Sequence, residues 1–347
     1  MQTGSGADPR PIAAVVHPGG RFLHVANWGE HSIAAFRIDA DGRLQAVAGS
    51  PFASGRWPHG IAVHPSGRFL YTANGDSNDV SAFRIDAASG ALRALDGAPF
   101  PAGKHPESIT LAPDGSRAYV CNGFGGDISA YRVDAETGRL APLAGSPFAT
   151  GEKPLALVTD ALGRYAYVAN RRFDVWAYRI DGRSGALQPL PGSPFAAGRG
   201  PTALAVHPSS RFLYVANFKS DDIHGYAIDA ASGQLTALPG SPYAAGKVPV
   251  GIAVDPLGEF VYVSNGESDS LSVYRLAADG ALRQAEGSPF PAGRLPCGIA
   301  VAPSGSFVYA GDWGSGDVQA YALERSRGAL VQLGRGTPTS GVSGSIS

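Results

Sequence analysis

Residues 58–74 read PHGIAVHPSGRFLYTAN, two short apolar runs split by the turn Pro65-Ser66-Gly67-Arg68. Runs of this length, rich in β-branched and aromatic residues and bounded by Gly and Pro, pair as β-strands. The pattern predicts a first strand at Gly60–His64 and a second at Phe69–Ala73. A third is expected over Asp79–Asp86, then a turn at Ala88-Ser89-Gly90 and a fourth strand over Ala91–Leu95. No segment carries helical apolar spacing over three turns.

The unit recurs. Asn27, Asn74, Asn122, Asn170, Asn217 and Asn265 close the same tripeptide, and Asp312 ends the series at spacings of 47 or 48 residues. Pro11, Pro58, Pro106, Pro154, Pro201, Pro249 and Pro296 keep the same step. A third marker, Gly-Ser-Pro-Phe at Gly49–Phe52, returns near Gly97, Gly145, Gly192, Gly240 and Gly287, with a worn copy at Gly336. Seven four-stranded antiparallel units in residues 1–347 describe an all-β, seven-bladed β-propeller in one domain, a blade starting near each marker proline. Two residues after those prolines stand only Ala13, Gly60, Ser108, Ala156, Ala203, Gly251 and Gly298. Strands crowded around an axis leave room for nothing larger. No strand is exchanged between the first and last blades in this reading, although Val342–Ser347 echoes Val248–Ala253 as the start of an eighth inner strand.

Composition narrows the partners. Only 16% of residues are charged while 44% are hydrophobic, and 28 basic residues balance 29 acidic ones. That suits a turn-rich globular chain with ample core and excludes a global attraction to nucleic acid. No apolar run reaches membrane-spanning length. Met1–Arg10 lacks the apolar centre of a signal peptide, and Cys121 and Cys297 stand alone, so a reducing cytoplasm is the expected address unless a leader was removed. No cofactor, metal, nucleic-acid or membrane partner is expected, and the chain reads as a monomer.

The repeated P-x-G-I-A-V-x-P-x-G-R-F-L-Y-V-A-N pattern around Pro58–Asn74 resembles the lactonase family of seven-bladed propellers, across all seven units. That family includes propeller-type 6-phosphogluconolactonases and carboxymuconate cyclases. The resemblance implies hydrolysis of a sugar-acid lactone, or opening or closing of a muconate-type lactone. It also implies a Gly-Pro-Arg-His stretch before a Phe-His-Pro turn. The matching stretch here is Gly200-Pro201-Thr202-Ala203 and then Val206-His207-Pro208, so Thr202 and Ala203 replace the family's Arg-His pair.

Subtracting the repeat exposes candidate site residues. The loops after each marker Asn and around each marker Pro share one face, and sequence variation gathers there. Of 32 aromatic residues, Trp28, Trp57, Phe124, Phe173, Trp176, Phe218 and Trp313 stand outside repeat positions, and all but Trp176 fall in or beside those loops. They can stack on a sugar ring, anchor a protein partner, or simply cover the channel. Cations stand two before the marker Pro at Arg56, Lys104, Arg199, Lys247 and Arg294. They suit an anionic ligand, and the plainer account pairs them with Asp76, Asp127, Glu267 and Asp317.

Blade four departs furthest, with Arg171, Arg172 and Phe173 in a loop one residue short. Adjacent arginines can clamp an oxyanion, with Lys104, His105, Glu107, Lys153, Arg56 and His59 as neighbours by blade order. His105 is the candidate general base and Glu107 its orienting or proton-donating partner, although Pro106 between them is expected to make their side chains diverge. His17, His64 and His207 precede turns on the opposite face and read as structural, as do His24 and His224. Asp79, Asp127, Asp174, Asp222 and Asp317, one per blade, read as turn caps rather than calcium ligands. Three classes of function stand: a lactonase-type hydrolase, a non-catalytic propeller binding a small anion or saccharide, and a protein-binding scaffold.

Overall fold

Each copy of the repeat folds into one antiparallel sheet of consecutive strands, as a computed structural model of residues 8–340 shows. Residues 342–347, the suggested eighth strand, and most of the N-terminal segment lie outside the described residues. In blade two the strands are Pro58–Val63, Phe69–Asn74, Asp79–Ile85 and Leu92–Ala94. The innermost strands pack side by side in a closed ring, Pro296–Val301 of blade seven lying against Pro11–Val16 of blade one. The seven-bladed propeller follows. Among the described residues the one helical element is a single turn at Gly266–Ser268.

The four-strand reading needs one addition. Phe100–Pro101 of the Gly-Ser-Pro-Phe marker forms a fifth, two-residue strand, which pairs with the third strand beside the fourth. Every blade has this strand, and both outer strands are too short to present a long sticky edge.

Second strands explain the stacking. Phe69–Asn74 is buried along its whole length, because neighbouring blades cover both of its faces. Tyr71 donates its hydroxyl to the Gly138 carbonyl of the next blade at 2.8 Å, and Tyr119, Tyr167 and Tyr214 repeat the contact. In blade one His24 stands where the tyrosine should be, wholly buried with Nε2 3.5 Å from the Gly90 carbonyl, as a structural histidine should. The small innermost residues also have their reason: a Cβ on Gly60 would sit 2.6 Å from the Cα of Ser108 in the next blade.

Closure uses the same contacts and no exchanged strand. Leu23, Val25 and Phe36 of blade one pack with Ala300, Tyr309 and Val318 of blade seven. Tyr309 donates to the Gly42 carbonyl at 3.1 Å, and Asn27 donates to the Thr339 carbonyl at 3.0 Å.

Two backbone features prepare the loop face. First, the residue before each marker proline has φ between 50° and 72°: Arg10, Trp57, His105, Lys153, Gly200, Val248 and Leu295. Only blade five meets this left-handed turn with the residue suited to it, Gly200. Second, each innermost strand starts at the proline itself, earlier than read from the sequence, and a register shift follows at once, as between Pro58 and Gly60. Bulges of this kind re-aim the extra residue's side chain. The loop after the second strand is tied to this turn, Gly75 donating to the Trp57 carbonyl and Gly123 to the His105 carbonyl, both at 2.8 Å. The two sets of loops therefore share one face.

Candidate functional site

The bulged residue after the marker proline is Ile12, His59, Glu107, Leu155, Thr202, Val250 or Cys297. His59 and Glu107 are the charged or imidazole-bearing members, and their blades are neighbours. The turn residue before the proline adds Trp57 in blade two and His105 in blade three. Glu107 stands between the two imidazoles, Oε2 3.3 Å from His59 Nδ1 and Oε1 3.4 Å from His105 Nε2. The expectation that Pro106 makes His105 and Glu107 diverge is thus overturned. A left-handed residue before the proline and a bulged one after it turn both side chains to the same spot.

Space for the cluster comes from two glycines at a position where four of the other five blades carry bulk and blade six has Gly266. A Cβ on Gly75 would meet His59 Cδ2 at 2.7 Å, and one on Gly123 would meet Glu107 Cγ at 2.8 Å. Blades seven, one, four and five place Trp313, Trp28, Arg171 and Phe218 at that position instead.

Burial sets the charges. It pushes the Glu107 carboxyl up to about 7, against the pull of Arg171 and Lys153 towards ionisation. It drives His59 down to about 4, with His105 adding to the effect. His105 is also lowered, by burial first, while Asp76 and the Gly75 backbone oppose the shift. All three shifts favour the uncharged forms.

An aromatic wall flanks the cluster on one side. Trp28 stacks on Trp57 with centroids 5.0 Å apart and leans on Trp313 at 5.1 Å. The Arg10 guanidinium lies 5.5 Å from the Trp28 ring and 5.6 Å from that of Trp313. Trp28 also donates its indole N–H to His59 Nε2 at 3.2 Å. Phe124, 64% exposed, lies flat on His105 with centroids 4.1 Å apart.

Cations flank the other side. Lys153 stands 5.6 Å from the Phe124 ring, and Arg171 lies 5.2 Å from that of Phe218. An open cleft of about 580 Å³ continues outward between Glu152, Lys153, Arg171, Arg172, Phe173 and Lys219. Arg171 is the arginine that reaches the Glu107 field; Arg172 turns away to pair with Glu152 at 2.8 Å. Both arginines line this cleft, Arg171 beside Phe218 and Arg172 beside Glu152.

The cation ring also differs from its plainer reading. Arg56 pairs with Asp76 at 2.6 Å, whereas Lys104, Arg199, Lys247 and Arg294 have no carboxylate partner among the described residues. Arg56 and Lys104 are exposed and stay outside the cluster. Four of the five marker Asp residues instead hold the loop behind them: Asp79, Asp127, Asp174 and Asp222 accept from Asn74, Asn122, Asn170 and Asn217 at 2.6–3.0 Å. Thr202, at the place of the family's arginine, donates to the Ala216 and Pro249 carbonyls and has a structural task.

Arg10 and Lys219 are site residues that the sequence reading passed over. Arg10 was legible as the blade-one counterpart of His105, had each repeat position been compared around the ring.

His59, His105 and Glu107 bring ligand atoms within 4.8 Å of one another, a spacing that would admit a divalent ion. The surroundings do not suit one. The Trp28 N–H already engages the Nε2 lone pair of His59 at 3.2 Å. Lys153 and Arg171 add positive charge beside the single carboxylate.

The family model described as "Lactonase, 7-bladed beta-propeller" matches residues 4–104, 98–251 and 174–343. A search of curated proteins finds no match. Among solved structures, a candidate 6-phosphogluconolactonase from Bacteroides fragilis is 18% identical with a TM-score of 0.78, over 97% of this chain and 98% of that one. The periplasmic gluconolactonase of Pseudomonas aeruginosa is 26% identical with a TM-score of 0.67, over 80% and 86%. Hydrazine synthase from Kuenenia stuttgartiensis is 19% identical with a TM-score of 0.71, over 93% and 99%. Fold alone therefore does not choose the chemistry.

Proposed function

This chain belongs to the lactonase family of seven-bladed β-propellers, and from that premise we propose that it hydrolyses a sugar-acid lactone at the cluster around Glu107. The observation that carries this reading is a half-buried carboxylate placed between two imidazoles, with an aromatic wall on one side and cations on the other.

Each part has a task. Phe124 and Trp57 offer faces for the C–H side of a sugar ring. Ionised Glu107 takes a proton from water as the water oxygen bonds to the lactone carbonyl carbon. Arg171 and Lys153 neutralise charge on the tetrahedral oxyanion and then on the product carboxylate. Breaking the bond between the carbonyl carbon and the ring oxygen releases an alkoxide, which recovers the proton from Glu107. Atoms balance: one water enters, and one hydroxy acid leaves.

The test is lactone hydrolysis in a pH-stat, using 6-phosphogluconolactone and unphosphorylated aldonolactones against the spontaneous rate. Turnover above background is expected, reduced by about 10²–10⁴ in Glu107→Gln. Background rates for every lactone, with sugar acids still bound, would favour the non-catalytic binding module.

A further inference from the structure

The indole N–H of Trp28 reaches His59 Nε2 at 3.2 Å, and an indole nitrogen can only donate. Nε2 must therefore be the acceptor nitrogen, and in a neutral imidazole the proton then sits on Nδ1. That nitrogen faces Glu107 Oε2 at 3.3 Å. With the opposite tautomer, two N–H groups would meet at Trp28, and a lone pair would face the carboxylate. We infer that Trp28 is a positioning residue: its indole N–H locks His59 in the Nδ1–H form, so that a neutral imidazole presents a donor to Glu107.

The lock suits a crowded place. Trp28 cannot swing away, since it is stacked on Trp57 and leans on Trp313. Its sequence position is the one where blades two and three have glycine, so blade one supplies from the side what the cluster's own blades have no room for. The Nδ1–H then faces Oε2 at 3.3 Å, while Oε1 stands 3.4 Å from His105 Nε2 on the other side. Catalytic triads likewise use a third group to fix a histidine's tautomer and orientation. The consequence for turnover rests on the proposed role of Glu107; the tautomer itself does not.

The experiment is ¹⁵N–¹H correlation of the histidine rings, with His59 assigned by His59→Asn. Wild type should show His59 as the Nδ1–H tautomer from pH 6 to 8, and Trp28→Phe should shift it towards Nε2–H. Phenylalanine keeps the stack on Trp57, so circular dichroism and Tm should change little. In turnover assays Trp28→Phe should lower kcat about tenfold with KM within about twofold. In a His59→Asn background, where a side-chain amide can supply the donor, Trp28→Phe should cost nothing further. An Nε2–H tautomer in wild type, or an unchanged one in Trp28→Phe, would overturn the inference. Undiminished turnover in Glu107→Gln would instead remove the proposed function and leave the tautomer result standing.

Discussion

His59 lies near the start of blade two's innermost strand and His64 just past its end, yet the two imidazoles have opposite fates. His64 lies at the turn face, with Nδ1 2.8 Å from Ser66 Oγ and Nε2 3.0 Å from the Gly115 carbonyl of the next blade. His17 and His207 repeat the contact to Gly67 and Gly258. These are posts between blades, set by the repeat. His59 is one of a kind: a bulged residue aimed at a carboxylate from the neighbouring blade. One face of the ring uses histidine to hold blades together, and the other spends stability to bring titratable groups into contact. Seven-fold regularity marks the first kind of residue, and departure from it marks the second.

Substitutions should separate the two kinds. His59→Ala is expected to lower kcat by about 10–100-fold while moving Tm little, because a neutral, poorly solvated imidazole adds little to the fold. Equal turnover in His59→Ala and wild type would break the contrast. Arg171→Ala should lower kcat/KM about tenfold for an acidic lactone, the loss of one charge-assisted contact to the oxyanion. Arg172→Ala, which removes a solvated pair with Glu152, should change neither KM nor Tm measurably. His64→Ala should do the reverse of His59→Ala, costing about 1–2 kcal/mol in a denaturant titration with kinetics unchanged.

A subtler contrast lies in blade seven, where Asp312 replaces the asparagine of the other six blades. Burial, followed by the nearby Asp317, pushes its carboxyl up to about 8. As the folded value exceeds the ordinary 3.8, the folded state holds the proton more tightly than the unfolded chain. This site's contribution to stability is then present at low pH and lost as pH rises from about 4 to about 8. Asp312→Asn should restore the amide of the other blades and flatten that loss. The expected gain is about 1 kcal/mol at pH 8 by thermal unfolding and much less at pH 5. A variant no more stable than wild type at pH 8 would place the proton elsewhere.

The fold was legible because its determinants are local and repeated seven times: turn residues, alternating strands, and small residues at the axis. The site was half legible. Trp28, Trp57, Phe124 and Arg171 stood out because they interrupt the repeat on its loop face. What stayed hidden was geometry that every blade shares. The left-handed residue before Pro106 and the bulge after it carry no local sign, since the same backbone accepts Val248 and Val250, or Leu295 and Cys297. His105 and Glu107 converge through that common backbone, and His59 joins them from a position 48 residues away from Glu107. Arg172 shows a different limit: adjacency in the chain did not reveal that it pairs with Glu152 at the rim of the cleft it shares with Arg171.

If Glu107 supplies the base, the pH dependence of kcat/KM must follow the ionisation of its carboxyl. A base that must be ionised, with its carboxyl pushed up to about 7, predicts a rate rising through pH 7 to a plateau in wild type and no such rise in the slow residual rate of Glu107→Gln. Turnover that is flat through pH 7, or a Glu107→Gln variant as fast as wild type, would contradict the account.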